Sequence, residues 1–456
     1  MPVISTYASA SVRGFSNSTT PATYWLDAIS VKANGGTMSN SITSIYNTPY
    51  IFGFNGGLGI TTWKPYVIEI KNADGNINSS TVFTTLSGVG QDFYNVTGIN
   101  KDSLGNLHVL FSKQLSGTNG FLLVKYNSTG TLVYNKLFSG TSANTGYAVS
   151  DLIKDSSDNL YVLSINSGSN FILTKIDPTN YTVTWSKTVS MTANLTSTGI
   201  TNKSLYIDNS NNIYVITYTT TGTVSTIFKF DTSGAIVWQK SSADFPAGLF
   251  RRIDFDSSGN IYLLANVTNS PIVVKLDSSG STTFTKTYTG SILDNYTILT
   301  INTNDNIVLL GRDPTAGTIF IVLILDSSNG AVLYNNEIIN TSAGNSTTPV
   351  DAVSISGSLY ITCTVGQLAF TFKVNNNNSI STYNTPWSVS YVRDNGTTYT
   401  ASGTITNFVS TNPTVSDTTV SFTTTAYTTS DFTITVADQT QTLGSTTPYV
   451  FYTPLI

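Results

Sequence analysis

Reactive side chains are scarce in this sequence, and their scarcity limits the chemistry that it could perform. The chain of 456 residues has one histidine, His108, and one cysteine, Cys363. Both fall at positions of a recurring strand where other copies carry tyrosine, valine or small residues, so we interpret both as packing residues. A Ser-His-Asp or Cys-His arrangement would need one of them, and a zinc site with several histidines cannot form.

Acidic residues are the remaining candidates for chemistry. Asp208–Asn212 spaces oxygen atoms at alternate residues as a calcium loop does, but it offers few carboxylates and no distal bidentate Glu. Turn formation explains Asp, Asn and Gly there without an ion, so we expect no metal and no cofactor. Asp151, Asp254 and Asp351 lie on candidate inner strands. They leave a carboxylate pair for glycoside cleavage open as an alternative, although they do not share one repeat register.

Two short turns recur along the chain and point to the elements that position these residues. The first precedes an apolar strand, as in Asp155-Ser-Ser-Asp-Asn159 before Leu160, and the second closes the next hairpin, as in Asp231 to Gly234. Seven second turns can be counted, roughly 50 residues apart, which is the period of a β-propeller. Each unit has an almost continuously apolar strand, suited to burial on both faces. The pattern predicts an all-β, seven-bladed β-propeller with four-stranded antiparallel blades.

The repeats resemble the bacterial and viral seven-bladed propeller repeats found in phage virion structural proteins. The resemblance lies in the Asp-x-x-Gly-Asn-x-Tyr strand start and in the Lys-x-Asp-x-x-Gly-x-x-x-Trp-x-Lys hairpin. It covers about four fifths of the chain. It weakens in the first blade, over 47–54, and in the last, whose turn is Asn375-Asn-Asn-Asn378. These two blades must meet to close the ring.

The predicted organisation has three parts. Residues 1–20 form an N-terminal arm, residues 21–391 the propeller, and residues 392–456 a small C-terminal β-rich region that is extremely rich in threonine. A small sandwich or a strand-exchanging attachment segment fits the last part, which is also the candidate for homo-oligomerisation. No apolar run approaches the roughly 20 residues that span a bilayer, and no secretory signal is recognisable.

A repeated lysine is the candidate for surface binding. Equivalent positions of a closed propeller have the same radius and height, so these lysines should form a broken ring near one face that could contact anionic sugars or an acidic partner. The alternative is a solvated strand end beside the turn. Trp63, outside the repeat positions, is a further candidate for an exposed contact. The lysines are Lys125, Lys175, Lys229, Lys275 and Lys373.

Composition narrows the function classes. Charged residues are 10% of the chain, with 21 basic against 25 acidic, so no strong field attracts nucleic acid. With the resemblance, this indicates a non-enzymatic virion surface protein, such as a phage tail or capsid appendage. It would bind other virion proteins, a host-surface glycan or a host protein, without membrane insertion. The alternatives are an extracellular adhesin or surface-layer module at the cell surface and a polysaccharide-active propeller enzyme.

Overall fold

The computed structural model describes most of the strands and short turns of the chain. It describes residues 25–31, 38–55, 64–70, 77–85, 93–113, 120–129, 131–140, 149–166, 170–190, 203–218, 225–242, 249–267, 270–289, 297–312, 319–340, 347–365, 368–375, 384–392, 398–409, 414–417, 429–431, 434–438, 444–446 and 450–455. The predicted arm, residues 1–20, and the turn at Asn376–Asn378 lie outside these ranges. No helix in the described ranges is long and apolar enough to cross a membrane.

Every described element longer than a turn is a β-strand. In chain order the strands are β1 Trp25–Val31, β2 Met38–Ile45, β3 Thr48–Asn55, β4 Lys64–Ile70, β5 Ile77–Thr85, β6 Phe93–Lys101, β7 Leu107–Lys113, β8 Gly120–Tyr126, β9 Leu132–Gly140, β10 Val149–Lys154, β11 Leu160–Asn166, β12 Asn170–Ile176, β13 Val183–Ser190, β14 Leu205–Ile207, β15 Ile213–Tyr218, β16 Ser225–Phe230, β17 Ile236–Ser242, β18 Leu249–Phe255, β19 Ile261–Val267, β20 Ser270–Leu276, β21 Thr282–Thr289, β22 Ile298–Ile301, β23 Ile307–Arg312, β24 Ile319–Leu325, β25 Val332–Asn340, β26 Thr347–Ile355, β27 Ser358–Val365, β28 Leu368–Asn375, β29 Asn384–Val392, β30 Thr398–Val409, β31 Thr414–Asp417, β32 Thr429–Asp431, β33 Ile434–Asp438, β34 Gly444–Thr446 and β35 Val450–Leu455.

The strands form seven antiparallel sheets, which confirms the propeller fold. Blades 1 to 6 each take four consecutive strands, from β2–β5 to β22–β25, and blade 7 begins with β26, β27 and β28. The first strand of each blade is the inner one: β2 contacts both β26 and β6, β10 contacts β6 and β14, and β22 contacts β18 and β26. The inner strands therefore surround a central channel.

The ring is closed by the N-terminal strand. β1 pairs antiparallel with β28 from Trp25 opposite Lys373 to Ile29 opposite Ala369, and so supplies the fourth strand of blade 7. A blade made from both ends of the propeller sequence needs no complete repeat of its own. This explains why the repeat is incomplete in blade 7.

The C-terminal strands pair with the outer edges of the blades, one blade after another. We call the strands β29–β35, within residues 384–455, the belt. β30 pairs with blade 6, β31 with blade 5, β32 with blade 3, β33 with blade 2, β34 with blade 1 and β35 with β1 of blade 7. Among the described strands, the belt thus follows the blades in reverse chain order and covers the outer edges of blades 6, 5, 3, 2, 1 and 7, a device that prevents edge-to-edge aggregation. The division at residues 20 and 391 stays a prediction, but the cover for residues 450–455 is this chain's own propeller.

The hydrophobic core lies between neighbouring blades. One cluster joins blade 3 to blade 4 through buried residues such as Phe171 and Phe228, and similar clusters join blades 1 and 2, 2 and 3, 4 and 5, and 5 and 6. Inner strands approach closely: a Cβ on Gly98 would lie 2.5 Å from the backbone nitrogen of Leu152 in the next blade. Any larger residue at position 98 would clash with the neighbouring strand, so glycine is required there.

The first turns link each blade to the next at positions with positive φ. Where that residue is Asp or Asn, its side-chain oxygen accepts a hydrogen bond from a backbone N–H in the preceding blade's turn. The three links join Asp158 to Ser103, Asn211 to Ser156 and Asp305 to Ser257, each at 2.9 Å. Blades 1 and 7 instead have two-residue hairpins, at Tyr46–Asn47 and Ser356–Gly357, which is why their turns match the repeat poorly.

The turn between β18 and β19 offers a test of these links. Gly259 has φ 79° and open space around its missing Cβ. Gly259→Asn is expected to add a bond to the blade 4 turn and to raise the free energy of unfolding by about 1 kcal/mol, because Asn tolerates this φ and restricts the unfolded chain. The midpoint of urea unfolding measures the change. Gly259→Ala is the control, which has the strain and no acceptor. Equal midpoints for the Asn and Ala variants would contradict the link.

Candidate functional site

The recurring chemistry of the repeat is a polar network at the first turn, complete in blades 3, 4 and 5. In blade 3, Oδ1 of Asp155 accepts hydrogen bonds from the N–H groups of Ser157 and Asn159, at 3.0 and 2.9 Å. Its Oδ2 accepts from the Asn159 side chain at 2.9 Å and from the Tyr161 hydroxyl at 3.0 Å. The same contacts recur around Asp208 and Asp256. The Asp, Asn and Tyr of the repeat therefore hold the turn against its own strand.

The repeated lysines belong to this network. The side chains of Lys125, Lys175, Lys229 and Lys275 are between 10% and 13% exposed, and each Nζ lies 3.5 to 4.0 Å from the turn carboxylate of its own blade. Lys125, Lys229 and Lys275 also donate to a backbone carbonyl in the next blade's second turn, at 2.9 to 3.1 Å. Lys175, Lys229 and Lys275 lie over the tyrosine ring of their own blade. These ammonium groups connect blades.

The interpretation of the lysines as a binding ring is not tested by these contacts and stays a prediction. The structure shows that four of the ammonium groups are poorly accessible to a binding partner. Lys125, Lys175, Lys229 and Lys275 are largely buried and paired with carboxylates. The Lys373 side chain and Trp63 lie outside the residues whose side chains are described.

His108 occupies the tyrosine position of blade 2 and is fully buried. Its Nδ1 lies 2.7 Å from the hydroxyl of Tyr181 and its Nε2 3.3 Å from Oδ2 of Asp102. Burial lowers the pKa of His108 to about 4, against the opposing effect of Asp102. Tyr181 comes from the blade 3 turn with φ 57°, at a position that is Gly330 in blade 6, and its buried ring fills the space that the smaller imidazole leaves. The sequence could have pointed to Tyr181, because it stands in the second turn at a position where blade 6 has a glycine.

The cysteine and a metal site were the other candidates for chemistry. Cys363 is fully buried on β27, and burial raises the pKa of its thiol well above the ordinary value. Within the described ranges no group of three or more His, Cys, Asp or Glu residues could hold a metal ion.

The central channel contains a cluster of charges that the sequence did not predict. Asp351 of blade 7 is 1% exposed, and its Oδ2 lies 2.7 Å from Nζ of Lys203. Oδ1 of Asp351 lies 3.5 Å from Arg252 of blade 5, and Oδ2 accepts a hydrogen bond from the N–H of Ile42 in blade 1, at 3.1 Å. Lys203, which precedes β14 of blade 4, also donates to the carbonyl of Ile42 at 2.7 Å. The cluster connects four blades across the channel.

The inner-strand carboxylates differ in register and environment. Asp351 pairs with Thr362 and Arg252 with Leu264, in each case directly after a bulge. Asp151 lies within the bulge of its own strand, directly before Leu152, as Asp351 lies directly before Ala352. Asp151 and Asp351 are therefore equivalent, whereas Asp254 is not, so the three carboxylates do not share one register. Asp254 lies two positions after Arg252, where it accepts hydrogen bonds from Ile301 N–H and the Thr300 hydroxyl of blade 6.

The pKa of Asp151 is strongly raised. Burial raises the pKa of Asp151 to about 7, an effect that Lys203 and Arg252 oppose and Asp351 reinforces. Burial also raises the pKa of Asp254, although Ile301 and other hydrogen-bond donors oppose the change. The channel thus holds one carboxyl that titrates near neutral pH beside one that is ion-paired.

The pKa of Asp151 predicts a pH-dependent effect of Asp151→Asn. Because the folded pKa lies above the unfolded value, the protonated carboxyl favours the fold, and this stability is complete below about pH 4 and lost as pH rises through 7. The variant should match the parent at pH 4 and have the higher melting temperature at pH 8, with a gain of up to about 4 kcal/mol. Thermal unfolding between pH 4 and 8 measures it. Asp277→Asn, on an exposed turn, should give no such trend; a constant difference for Asp151→Asn would contradict the assignment.

The belt carries a pattern that sequence reasoning missed. Three of its strands end in a Thr-x-(Ser or Ala)-Asp sequence: Thr414–Asp417, Thr428–Asp431 and Thr435–Asp438. The registers place these three Asp positions opposite Lys286, Lys187 and Lys136. The recurring lysine of the fourth strand and the recurring Asp were both visible in the sequence, but their pairing was not.

Comparison with known proteins finds structural neighbours at low sequence identity and no family. No family model matches the chain, and no curated protein matches it. The structure of YCF48 bound to D1 peptide is 9% identical, with TM-score 0.46 over 78% of this chain and 97% of that one. The β-propeller domain of Cps50 (Swd1) from Myceliophteria thermophila is 10% identical, with TM-score 0.46 over 76% and 100%. Quinohemoprotein alcohol dehydrogenase ADHIIG from Pseudomonas putida HK5 is 10% identical, with TM-score 0.42 over 82% and 80%. The chain is a β-propeller, and the roles of its neighbours differ from one another.

Proposed function

We propose that this chain is a non-enzymatic binding and assembly protein, and that it works on the surface of a virion as a tail or capsid appendage. Its partners would be neighbouring virion proteins and a host-surface protein or glycan. An extracellular or cell-surface adhesin is the alternative setting for the same binding role.

The observation that carries the non-enzymatic part is the use of reactive groups inside the fold. Asp351, the most buried of the inner-strand carboxylates, is bonded to Lys203, Arg252 and the Ile42 N–H. His108 is held between Tyr181 and Asp102, and Cys363 is fully buried. A catalytic group must reach a substrate, whereas Asp351 and His108 bond to residues of other blades and Cys363 is enclosed.

The virion setting is supported by composition and by the resemblance of the repeats. Only 10% of the residues in the chain are charged, and uncharged polar residues are abundant. The protein surface therefore has no strong electrostatic field. The belt strengthens the case for a durable surface protein, because it covers blade edges that would otherwise pair with other chains.

Electron microscopy of particles from the source of this sequence, labelled with an antibody against the chain, tests the setting. We expect label at regular positions on the particle surface, and particles without label would refute the virion role. Incubation of the purified chain with a panel of bacterial polysaccharides tests the absence of catalysis. Glycan turnover that is lost in Asp151→Asn would overturn the non-enzymatic part.

A further inference from the structure

Two neighbouring blades have lysine at a position where the others have an apolar residue. The position is the last one that pairs on the first strand of a blade before the first turn. Equivalent positions of a propeller have equivalent surroundings, so a departure confined to two adjacent blades is a local feature and not a requirement of the fold. Blades 2 and 3 carry Lys101 and Lys154 there, whereas the other five carry Ile45, Ile207, Phe255, Ile301 and Ile355.

The first turn of blade 2 has an exposed leucine. In blades 2 to 6 the third residue of this turn donates its N–H to the Asp or Asn that begins the turn, so the residues at this position are equivalent. Blade 2 has Leu104, which is 78% exposed, and the others have Ser157, Ser210, Ser258 and Asn304. The turn forms with small polar residues, so it does not need a leucine.

Tyr46 of blade 1 is at odds with its local backbone. It has φ 49° in the two-residue hairpin Tyr46–Asn47, and its side chain is 59% exposed. Asn and Gly are the usual residues at such a φ, and the equivalent hairpin of blade 7 is Ser356–Gly357. Neither the turn nor the core therefore accounts for a tyrosine here. Bulky residues held at such angles are concentrated at functional sites.

Contacts between the three blades bring these departures together. The Tyr46 hydroxyl donates to the carbonyl of Lys101 at 3.4 Å, and Nζ of Lys154 lies 5.5 Å from the centre of the Tyr46 ring. Nζ of Lys154 also lies 2.8 Å from Oδ1 of Asp158, whose Oδ2 accepts from the N–H of the residue before Leu104, at 2.9 Å. Among the described side chains, Tyr46 and Leu104 are the exposed large hydrophobic ones outside the fourth strands of the blades. We call Tyr46, Lys101, Leu104, Lys154 and Asp158 the turn cluster.

We propose that the turn cluster binds an acidic segment of a partner protein, in which an aliphatic or aromatic side chain stands next to an Asp or Glu. Tyr46 and Leu104 offer apolar contact area, and tyrosine is enriched among the residues that dominate protein interfaces. The cluster contains two ammonium groups and one carboxylate, so its excess charge is positive and complements an acidic residue.

A protein segment fits this cluster better than a sugar does. A pyranose ring could stack on Tyr46, but it would leave the exposed Leu104 without an apolar side chain to contact. Removing leucine and a facing apolar side chain from water is favourable, by about 25 cal/mol for each Å² buried. The proposal rests on the proposed binding function and names the partner's chemistry.

Selection of short random peptides displayed on phage, with the full chain as the target, tests the site. We expect the enriched peptides to combine Asp or Glu with Leu, Phe, Tyr or Trp. A fluorescent synthetic copy of the most enriched peptide is then titrated by anisotropy. Leu104→Ser, which introduces the residue of blades 3 to 5, should weaken its binding about tenfold, because one apolar anchor is lost. Ser210→Ala, at the same turn position of blade 4, is the matched control and should leave the affinity unchanged.

Tyr46→Asn separates binding from folding. Asn suits the positive φ of this hairpin, so the melting temperature should equal or exceed that of the parent, while the peptide affinity should fall about tenfold. Lys101→Gln should weaken binding of the acidic peptide. It should have a smaller effect on a copy of the peptide with Asn or Gln in place of its acidic residue, because the charge pair is then already absent.

Several outcomes would overturn the proposal. They are absence of enriched peptides, enriched peptides without acidic residues, and affinities that Tyr46→Asn and Leu104→Ser leave unchanged. A large loss of stability in Tyr46→Asn would make the tyrosine a structural residue and would count equally against the site. Binding of glycans on an array that Tyr46→Asn abolishes, without any peptide that depends on the cluster, would assign the site to a sugar. Particle labelling tests the virion setting separately, so the proposed function can stand when the turn cluster fails.

Discussion

Asp351→Ala is expected to lower the free energy of unfolding by about 3 to 5 kcal/mol, the usual cost of leaving buried charges without their partner. Two cations lose their carboxylate, since Lys203 lies 2.7 Å and Arg252 3.5 Å from it, and the Ile42 N–H loses its acceptor. Urea unfolding at pH 7, followed by tryptophan fluorescence, measures the loss.

A second substitution separates charge from packing in this cluster. In the Asp351→Ala background, Lys203→Met should cost less than in the parent, because it removes a largely buried charge that no longer faces the Asp351 carboxylate. In the parent, Lys203→Met should be clearly destabilising. Asp351→Asn retains the shape and an acceptor for Ile42, so its remaining loss measures the charge. An Asp351→Ala variant within 1 kcal/mol of the parent would mean that the cluster does not hold the blades together.

Ala28→Pro, in the strand that closes the ring, is expected to cost about 3 kcal/mol or more. Ala28 lies between two partners, opposite Phe370 of β28 and Thr453 of β35. Proline removes a backbone donor and does not fit a strand that is paired on both sides. Opening at this blade should also expose the last belt strand, so hydrogen exchange should accelerate in both 368–375 and 450–455.

Ala28→Val is the control for this variant, because valine keeps the donor and suits a strand. Its urea midpoint should lie close to that of the parent. If Ala28→Pro had an unchanged midpoint and unchanged exchange in 368–375, β1 would not be the closing strand.

Local features of the site were open to sequence reasoning. Asp155, Asn159 and Tyr161 contact one another within six residues, so the recurring turn and the strand that follows it predict their network once the period is recognised. The lysine one residue before the end of the partner strand was also visible, but its burial was not. Its carbonyl acceptor lies about 50 residues away, in the next blade.

The length of the first turn shows why the channel was harder to predict. Asp151 and Asp351 occupy one position of the blade, yet counting residues back from the apolar strand after the turn places them differently, because blade 7 has a two-residue hairpin where blade 3 has a longer turn. Pairing in the sheet recovers the equivalence. Lys203, which bonds to Asp351, lies in no repeat element and gave no sequence signal.

The sequence by itself determined the all-β propeller, the number of repeats and the chemistry of the turns, because turns and hairpins depend on residues a few positions apart. Only the tertiary structure decided how β1 closes the ring, how the belt follows the blades from β30 to β35, and which charges meet in the channel. Those partners are separated by up to several hundred residues. Their pairing is set by ring closure, which brings distant strands together whatever their order in the chain, and a local pattern contains no record of it.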